Sequence, residues 1–160
     1  MLLKYVYIVF IGILLSIFIG VGIAAFYEGP KQPDQNYIPR NLYSESEKDA
    51  TKSAELEKIE AAQNKEWQEF SKKTQEYNKN VSIIAVIASI LILVISLTLF
   101  KKILLIADGL LLGGVLTLLY AIIRSFNSQD FKYIFVVVSI GLLTSLILGY
   151  LKFIKPQSKK

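Results

Sequence analysis

The chain contains no histidine and no cysteine. Without them it lacks the usual ligands of haem, zinc and iron–sulfur clusters, and it can form neither a Ser-His-Asp nor a Cys-His nucleophile nor a redox disulfide. The absence of cysteine also excludes palmitoylation and prenylation, and Leu2 in place of glycine excludes myristoylation. We therefore expect no cofactor, no metal site and no enzymatic activity, and we expect any membrane attachment to come from helices.

Charged residues are scarce outside one segment. Residues 28–80 hold 20 of the 31 charged residues, 11 of them acidic and 9 basic. The rest of the chain carries most of the apolar residues, which make up 53% of the whole sequence and exceed the roughly 45–50% of soluble domains. A soluble enzyme is therefore not expected. The net charge of +5 is explained by lysines beside apolar segments, so no nucleic-acid partner is expected.

Four apolar runs have the length needed to cross a membrane, which is about 20 residues. They are residues 1–27, 81–100, 103–123 and 131–151. The first run is longer than the apolar part of a secretory signal, so we expect an anchor helix rather than a cleaved leader. The sequence predicts an all-α integral membrane protein, a bundle of four transmembrane helices.

The segment between the first two runs has two parts. Residues 28–44 contain Gly29 and three prolines and predict an extended connector. Ser44 followed by Glu47 forms a capping box, which predicts a helix over residues 45–80 that continues into the second transmembrane run. Apolar and aromatic residues then recur on one face of this extramembrane helix: Leu56, Ile59, Trp67, Phe70 and Tyr77.

This apolar stripe on a highly charged helix needs a cover. It could pack on other copies or on a partner as a coiled coil, it could lie on the membrane surface, or the helix could be partly frayed and solvated. The sequence favours association with another chain.

Small residues recur every four positions in three of the apolar runs. These residues are Gly12, Ser16, Gly20 and Ala24 in the first run, Gly109, Gly113, Thr117 and Ala121 in the third, and Gly141, Ser145 and Gly149 in the fourth. Small residues allow close approach of helices in lipid. We expect them to mediate packing within the bundle, with an oligomer interface or a pore lining as the alternatives.

Two charged residues lie inside or at the end of apolar runs. Asp108 is followed by glycine, which favours an interfacial helix cap within reach of Lys101 or Lys102, and the alternative is a polar membrane site with a pore or proton role. Arg124 ends the third run, where a snorkelling anchor is expected.

Four crossings place both termini on one side. The lysines of the basic tail at 152–160 and of the Lys101–Lys102 hairpin favour a cytoplasmic location for the termini and an extracytoplasmic one for residues 28–80. The abundance of Lys, Ile, Asn and Tyr suggests an AT-rich, bacterial genome and thus a plasma membrane. Aromatic residues predicted at the face opposite the termini include Phe26, Tyr27, Tyr77, Tyr120, Phe126, Phe131 and Tyr133.

These features predict a non-enzymatic scaffold or accessory subunit. Its partners would be membrane lipid and either copies of itself, as a homo-oligomer, or other membrane protein subunits. The alternative is a homo-oligomeric channel or holin-like pore, mildly polar along the heptad-spaced Ser82, Ser89 and Ser96.

Overall fold

The described part of the protein is entirely α-helical apart from short connections and one π-helical turn. The computed structural model describes residues 2–34, 42–43, 49–98 and 103–154. The helices are α1 (Leu2–Phe26), α2 (Ala50–Thr98), α3 (Leu104–Phe126) and α4 (Phe131–Gly149), and a π-helical segment, Tyr150–Ile154, follows α4 directly. The chain divides into two compact units, one made of residues 1–28 and 76–160 and the other of residues 29–75.

Four helices of the described chain are long and apolar enough to cross a membrane. Their most apolar windows have mean hydropathies of 2.8, 2.9, 2.1 and 2.4 in chain order. A helix pairs its backbone N–H and C=O groups internally. A segment with few polar side chains can therefore satisfy its backbone hydrogen bonds without water when it is helical. The predicted all-α class and the number of long apolar helices are thus confirmed.

Helix α2 begins with a side-chain cap. The backbone N–H of Thr51 donates to Asp49 Oδ1 over 2.9 Å, the arrangement of an N-terminal capping residue. Hydrogen bonds from Thr51 lower the pKa of the Asp49 carboxyl. The predicted capping box of Ser44 and Glu47 lies outside the described residues, as do Phe100, Lys101 and Lys102.

Helix α3 lies against α1 through glycines. A Cβ on Gly109 would meet Ile11 Cγ2 at 2.8 Å, and a Cβ on Gly113 would meet Leu15 Cδ2 at 2.7 Å and the Gly12 carbonyl at 3.2 Å. The contacts advance in the same direction along both chains, so α1 and α3 run parallel. Glycine at these positions lets the two backbones approach closely.

A second face of α3 lies against α2 through three hydrogen bonds. The hydroxyls of Ser82, Ser89 and Ser96, here called the serine row, donate to the carbonyls of Ala121, Gly114 and Ala107 over 2.8, 2.8 and 2.7 Å. Both sets of residues are spaced by seven and advance in opposite directions, so α2 and α3 run antiparallel. A constant seven-residue period is typical of left-handed helix pairs. All three serines are buried.

We expect loss of the serine row to weaken the bundle moderately. Replacing all three serines with alanine should lower the free energy of unfolding by about 2 kcal/mol, because interhelical hydrogen bonds in membrane proteins average about 0.6 kcal/mol each. The measurement is reversible unfolding in mixed detergent micelles. Ser139→Ala is the control, since the Ser139 hydroxyl donates to Phe135 of its own helix, and an equal loss in that variant would contradict the role of the row.

Helix α4 follows α3 after a short turn. Gln129 in this turn adopts a left-handed φ of 55°, and Asp130 caps α4 by accepting a hydrogen bond from the Tyr133 backbone N–H over 3.1 Å. A Cβ on Gly141 would meet Ile122 of α3 at 3.1 Å. Helix α3 therefore contacts each of the other three helices.

Candidate functional site

The most extensive network of polar and aromatic side chains in the described chain lies at one end of the apolar segments of the four helices. Four tyrosines lie there, one from each helix or its immediate flank: Tyr27, Tyr77, Tyr120 and Tyr133. All four are partly buried and pack against the apolar core of the unit. We call them the tyrosine cluster. Their predicted placement at one face of the bundle agrees with this arrangement.

Tyr27 and Tyr77 join α1 to α2. Their rings are stacked with centroids 5.2 Å apart and an interplanar angle of 5°. The Tyr77 hydroxyl donates to the Tyr27 carbonyl over 3.2 Å, and the Asn80 side-chain amide donates to the Tyr27 hydroxyl over 2.8 Å. Tyr77, a member of the predicted association stripe, is therefore engaged within its own chain.

Arg124 lies between two of these rings. Its guanidinium carbon is 5.8 Å from the Tyr77 ring centroid and 5.6 Å from that of Tyr120, within the range of cation–π attraction. Its Nε donates to the Tyr120 hydroxyl over 3.0 Å, and its Nη1 donates to Asn78 Oδ1 over 2.8 Å. Asn78 is only 4% exposed. Arg124, which we expected to be a snorkelling anchor, is thus held to α2 by an aromatic ring and an amide.

Lys79 and Asp130 complete the cluster. Lys79 Nζ lies 2.7 Å from Asp130 Oδ2 and 5.3 Å from the Tyr133 ring centroid. The Tyr133 hydroxyl donates to the Lys79 carbonyl over 3.0 Å. The hydrogen bond from Lys79 and then that from the Tyr133 backbone lower the pKa of the Asp130 carboxyl. The pair thus joins α2 to the start of α4.

We expect Lys79→Gln to raise the pKa of Asp130 toward that of an ordinary carboxyl, although the Tyr133 hydrogen bond should keep it somewhat low. Because the folded-state pKa is depressed, the stabilisation from this pair is present above the pKa of an unpaired aspartate, about 3.9, and is lost as the pH falls through the lower folded-state value. Carboxyl ¹³C NMR of aspartate-labelled protein measures this titration. Lys132→Gln, a change at an exposed lysine nearby, should leave it unaltered, and an equal response in both variants would contradict the pairing.

An ion pair also lies near the start of α3. Lys152 Nζ is 2.6 Å from Asp108 Oδ1, with side chains 26% and 29% exposed. Asp108 lies inside α3, whose N-cap is Ile103, so the expectation that Asp108 caps a helix is wrong. Helix α3 begins at Leu104, four residues before Asp108, and the π-helical segment supplies Lys152 as the partner of this carboxylate. Lys101 and Lys102, the predicted partners, lie outside the described residues.

The small residues predicted to pack have different surroundings. Gly12, Gly109, Gly113 and Gly141 lie within van der Waals range of another helix of the same chain, and Thr117 and Ala121 are fully buried. Ser16 and Gly20 are half-buried. Ala24 and Ser145 are exposed, and a Cβ on Gly149 would meet nothing within 4 Å. Packing within the chain therefore explains the small residues in the middle of the bundle.

The serine row connects α2 to α3, a role that the sequence analysis did not predict. Its hydroxyls are satisfied by α3 carbonyls and its side chains are buried, so in this fold they line no water path. The signal was available in the sequence, since Ala107, Gly114 and Ala121 form a second heptad of small residues on α3.

The unit formed by residues 29–75 carries the rest of the predicted stripe. Leu56, Ile59 and Phe70 are half-buried, whereas Trp67 is 36% exposed. The Trp67 and Phe70 rings meet edge to face with centroids 5.7 Å apart. Desolvation raises the pKa of Tyr43, and repulsion by the Glu60 carboxylate and the hydrogen bond that Tyr43 donates to it raise this pKa further. The end of the connector therefore lies beside this part of α2.

Comparisons with known proteins identify no relative. No protein-family model, no curated protein and no solved structure matches the chain. In the part of the chain that the structure describes, no three carboxylates are grouped so that they could hold a metal ion.

Proposed function

We propose that this protein is a non-enzymatic integral membrane scaffold or accessory subunit. Four helices would cross the membrane, with both termini in the cytoplasm of a bacterial cell and residues 28–80 on the opposite side of the plasma membrane. The outward residues of the four-helix unit support insertion, because large apolar side chains such as Phe18 and Phe135 are 75% and 73% exposed. Lipid is the environment in which such a surface is favourable.

The extramembrane part of α2 would carry the association surface. The glycine contacts and the serine row are occupied within the chain, so they are not available to a partner in this fold. The observation that carries the proposal is the exposed Trp67 and its edge-to-face contact with Phe70 on a segment that is otherwise rich in charge. Tryptophan is enriched among the residues that dominate binding energy at protein interfaces. The partner would be a second copy of the chain or another membrane subunit.

Trp67→Asp tests this role. Truncating an interface hot spot costs about 2 kcal/mol or more, so the variant should weaken association by roughly 30-fold or more. Native mass spectrometry of the protein in mild detergent measures the assembly. Gln68→Asp places the same charge on the exposed neighbouring residue and should leave the assembly intact.

Two results would count against the scaffold. The proposal would be contradicted if the wild-type protein is monomeric and purifies without a partner. It would also be contradicted if both variants lose assembly equally. A homo-oligomer that conducts ions after reconstitution would favour a channel instead. The scaffold predicts no conductance.

A further inference from the structure

The tyrosine cluster with Arg124 has an excess of hydrogen-bond donors. A guanidinium carries five N–H groups. Within the described residues, Tyr120 and Asn78 account for two of those on Arg124, which leaves three. The hydroxyls of Tyr27 and Tyr120 act only as acceptors in their hydrogen bonds from Asn80 and Arg124. Each therefore retains an O–H that can donate. These remaining N–H and O–H donors suit a ligand that accepts several hydrogen bonds.

The charge of the site points to an anion. Lys79 is neutralised by Asp130, whereas Arg124 makes no ion pair with a carboxylate of the described chain. Its other partners are neutral rings and an amide. A half-buried positive charge that no carboxylate of the described residues neutralises gains strongly from an oxyanion, and arginine matches phosphate oxygens with parallel N–H groups.

The level of the site along the helices indicates which kind of anion it would meet. Arg124 is in the last turn of α3, level with the end of α1 and the start of α4, where the apolar spans stop. In an inserted protein this level is the zone of lipid headgroups, where aromatic and basic residues concentrate.

We propose that Arg124 and the tyrosine cluster bind a phosphate group, namely that of a phospholipid headgroup. Buried Asn78 and the two flanking rings hold the guanidinium in place, so the unused N–H groups are preorganised for the phosphate. Tyr27 and Tyr120 add hydroxyl donors. The site rests on the membrane insertion proposed above, and it is independent of the partner-binding role of Trp67.

The test is lipid retention by the full-length protein in detergent, measured by native mass spectrometry. The wild type is titrated with phosphatidylglycerol and with a diacylglycerol of the same acyl chains, which lacks the phosphate. We expect retention of phosphatidylglycerol alone. Equal retention of both lipids would overturn the proposal without any variant being needed.

Three variants locate the site. Arg124→Gln should weaken phosphatidylglycerol binding about tenfold, because it removes a charge-assisted contact. Arg124→Lys keeps the charge but not the fork of donors and should give an intermediate loss. Lys132→Gln makes the same charge change at an exposed residue outside the cluster and should bind as the wild type does. Wild-type binding by Arg124→Gln, or an equal loss in Lys132→Gln, would overturn the site.

Competition with inorganic phosphate identifies the source of the group. If the headgroup is the ligand, excess inorganic phosphate should not displace phosphatidylglycerol, because the acyl chains contribute to binding. Full displacement, together with phosphate binding to lipid-free protein, would overturn the headgroup assignment in favour of phosphate from solution. The thermal midpoint of each variant in detergent is measured in parallel. A Trp67→Asp variant that loses assembly but keeps its lipid would separate this site from the proposed scaffold role.

Discussion

Replacing Gly113 with leucine is expected to lower the free energy of unfolding by about 3 kcal/mol or more, the upper end of the cost of overpacking a well-packed core. Even a Cβ at this position would meet Leu15 Cβ at 3.1 Å and the carbonyl oxygen of Gly12 at 3.2 Å. The terminal atoms of Leu15 could move aside, but the backbone of α1 cannot move without separating the two helices. The variant should therefore lose the α1–α3 contact.

Gly22→Leu is the matched control for this substitution. Gly22 is also an apolar-segment glycine, yet a Cβ there would meet nothing within 4 Å. Reversible unfolding of both variants in mixed micelles gives the comparison. We expect a small change in the free energy of unfolding for Gly22→Leu. Similar stabilities for the two variants would mean that α1 and α3 do not meet at Gly113.

Reversing the charge of Asp108 should also lower the free energy of unfolding substantially. Asp108→Lys would place two ammonium groups where an ion pair of 2.6 Å now lies. Breaking a buried pair costs about 3–5 kcal/mol. Both side chains retain a quarter or more of their exposure, so we expect a loss of roughly 2 kcal/mol after allowance for solvent screening. The π-helical segment that carries Lys152 should detach from α3 in this variant.

The charge-swapped double variant provides the critical comparison. Asp108→Lys combined with Lys152→Asp restores opposite charges, and we expect it to recover most of the lost stability. The coupling energy from the double-mutant cycle isolates the pair from other effects of each change. A double variant as unstable as Asp108→Lys alone would indicate that the two residues do not interact.

The number and approximate limits of the long apolar helices followed from hydrophobicity alone. Runs predicted at 103–123 and 131–151 correspond to α3 (Leu104–Phe126) and α4 (Phe131–Gly149) with its π-helical continuation. This succeeds because a long apolar segment has few alternatives to a helix. The grouping of the tyrosines at one end was also predictable, since the direction of each helix and the position of each tyrosine in the sequence determine the level of its ring.

The partners of individual side chains were not predictable in the same way. Sequence spacing placed Ser82, Ser89 and Ser96 on one face, but a face alone does not tell a pore lining from a contact with another helix. Only the antiparallel pairing with α3 supplies the carbonyls that accept their hydrogen bonds.

Asp108 and Arg124 show the same limit. The sequence around each residue is typical of a position at the membrane interface. Asp108, however, pairs with Lys152, 44 residues away, and Arg124 donates to Asn78, 46 residues away. Such long-range pairs depend on how the helices pack.

The proposed membrane topology can be tested directly because the chain contains no cysteine. We propose that four helices cross the membrane, with the charged segment on the side opposite both termini. Single cysteines introduced at Lys4, Gln68, Asn127 and Ser158 are labelled in sealed cells with a membrane-impermeant maleimide. The same labelling after permeabilisation gives the total reactive thiol of each variant.

We expect labelling of Gln68→Cys and Asn127→Cys in sealed cells, and labelling of Lys4→Cys and Ser158→Cys only after permeabilisation. The reverse pattern would keep the four crossings and invert the orientation. Labelling of Gln68→Cys from the same side as Ser158→Cys would contradict the four-helix crossing itself.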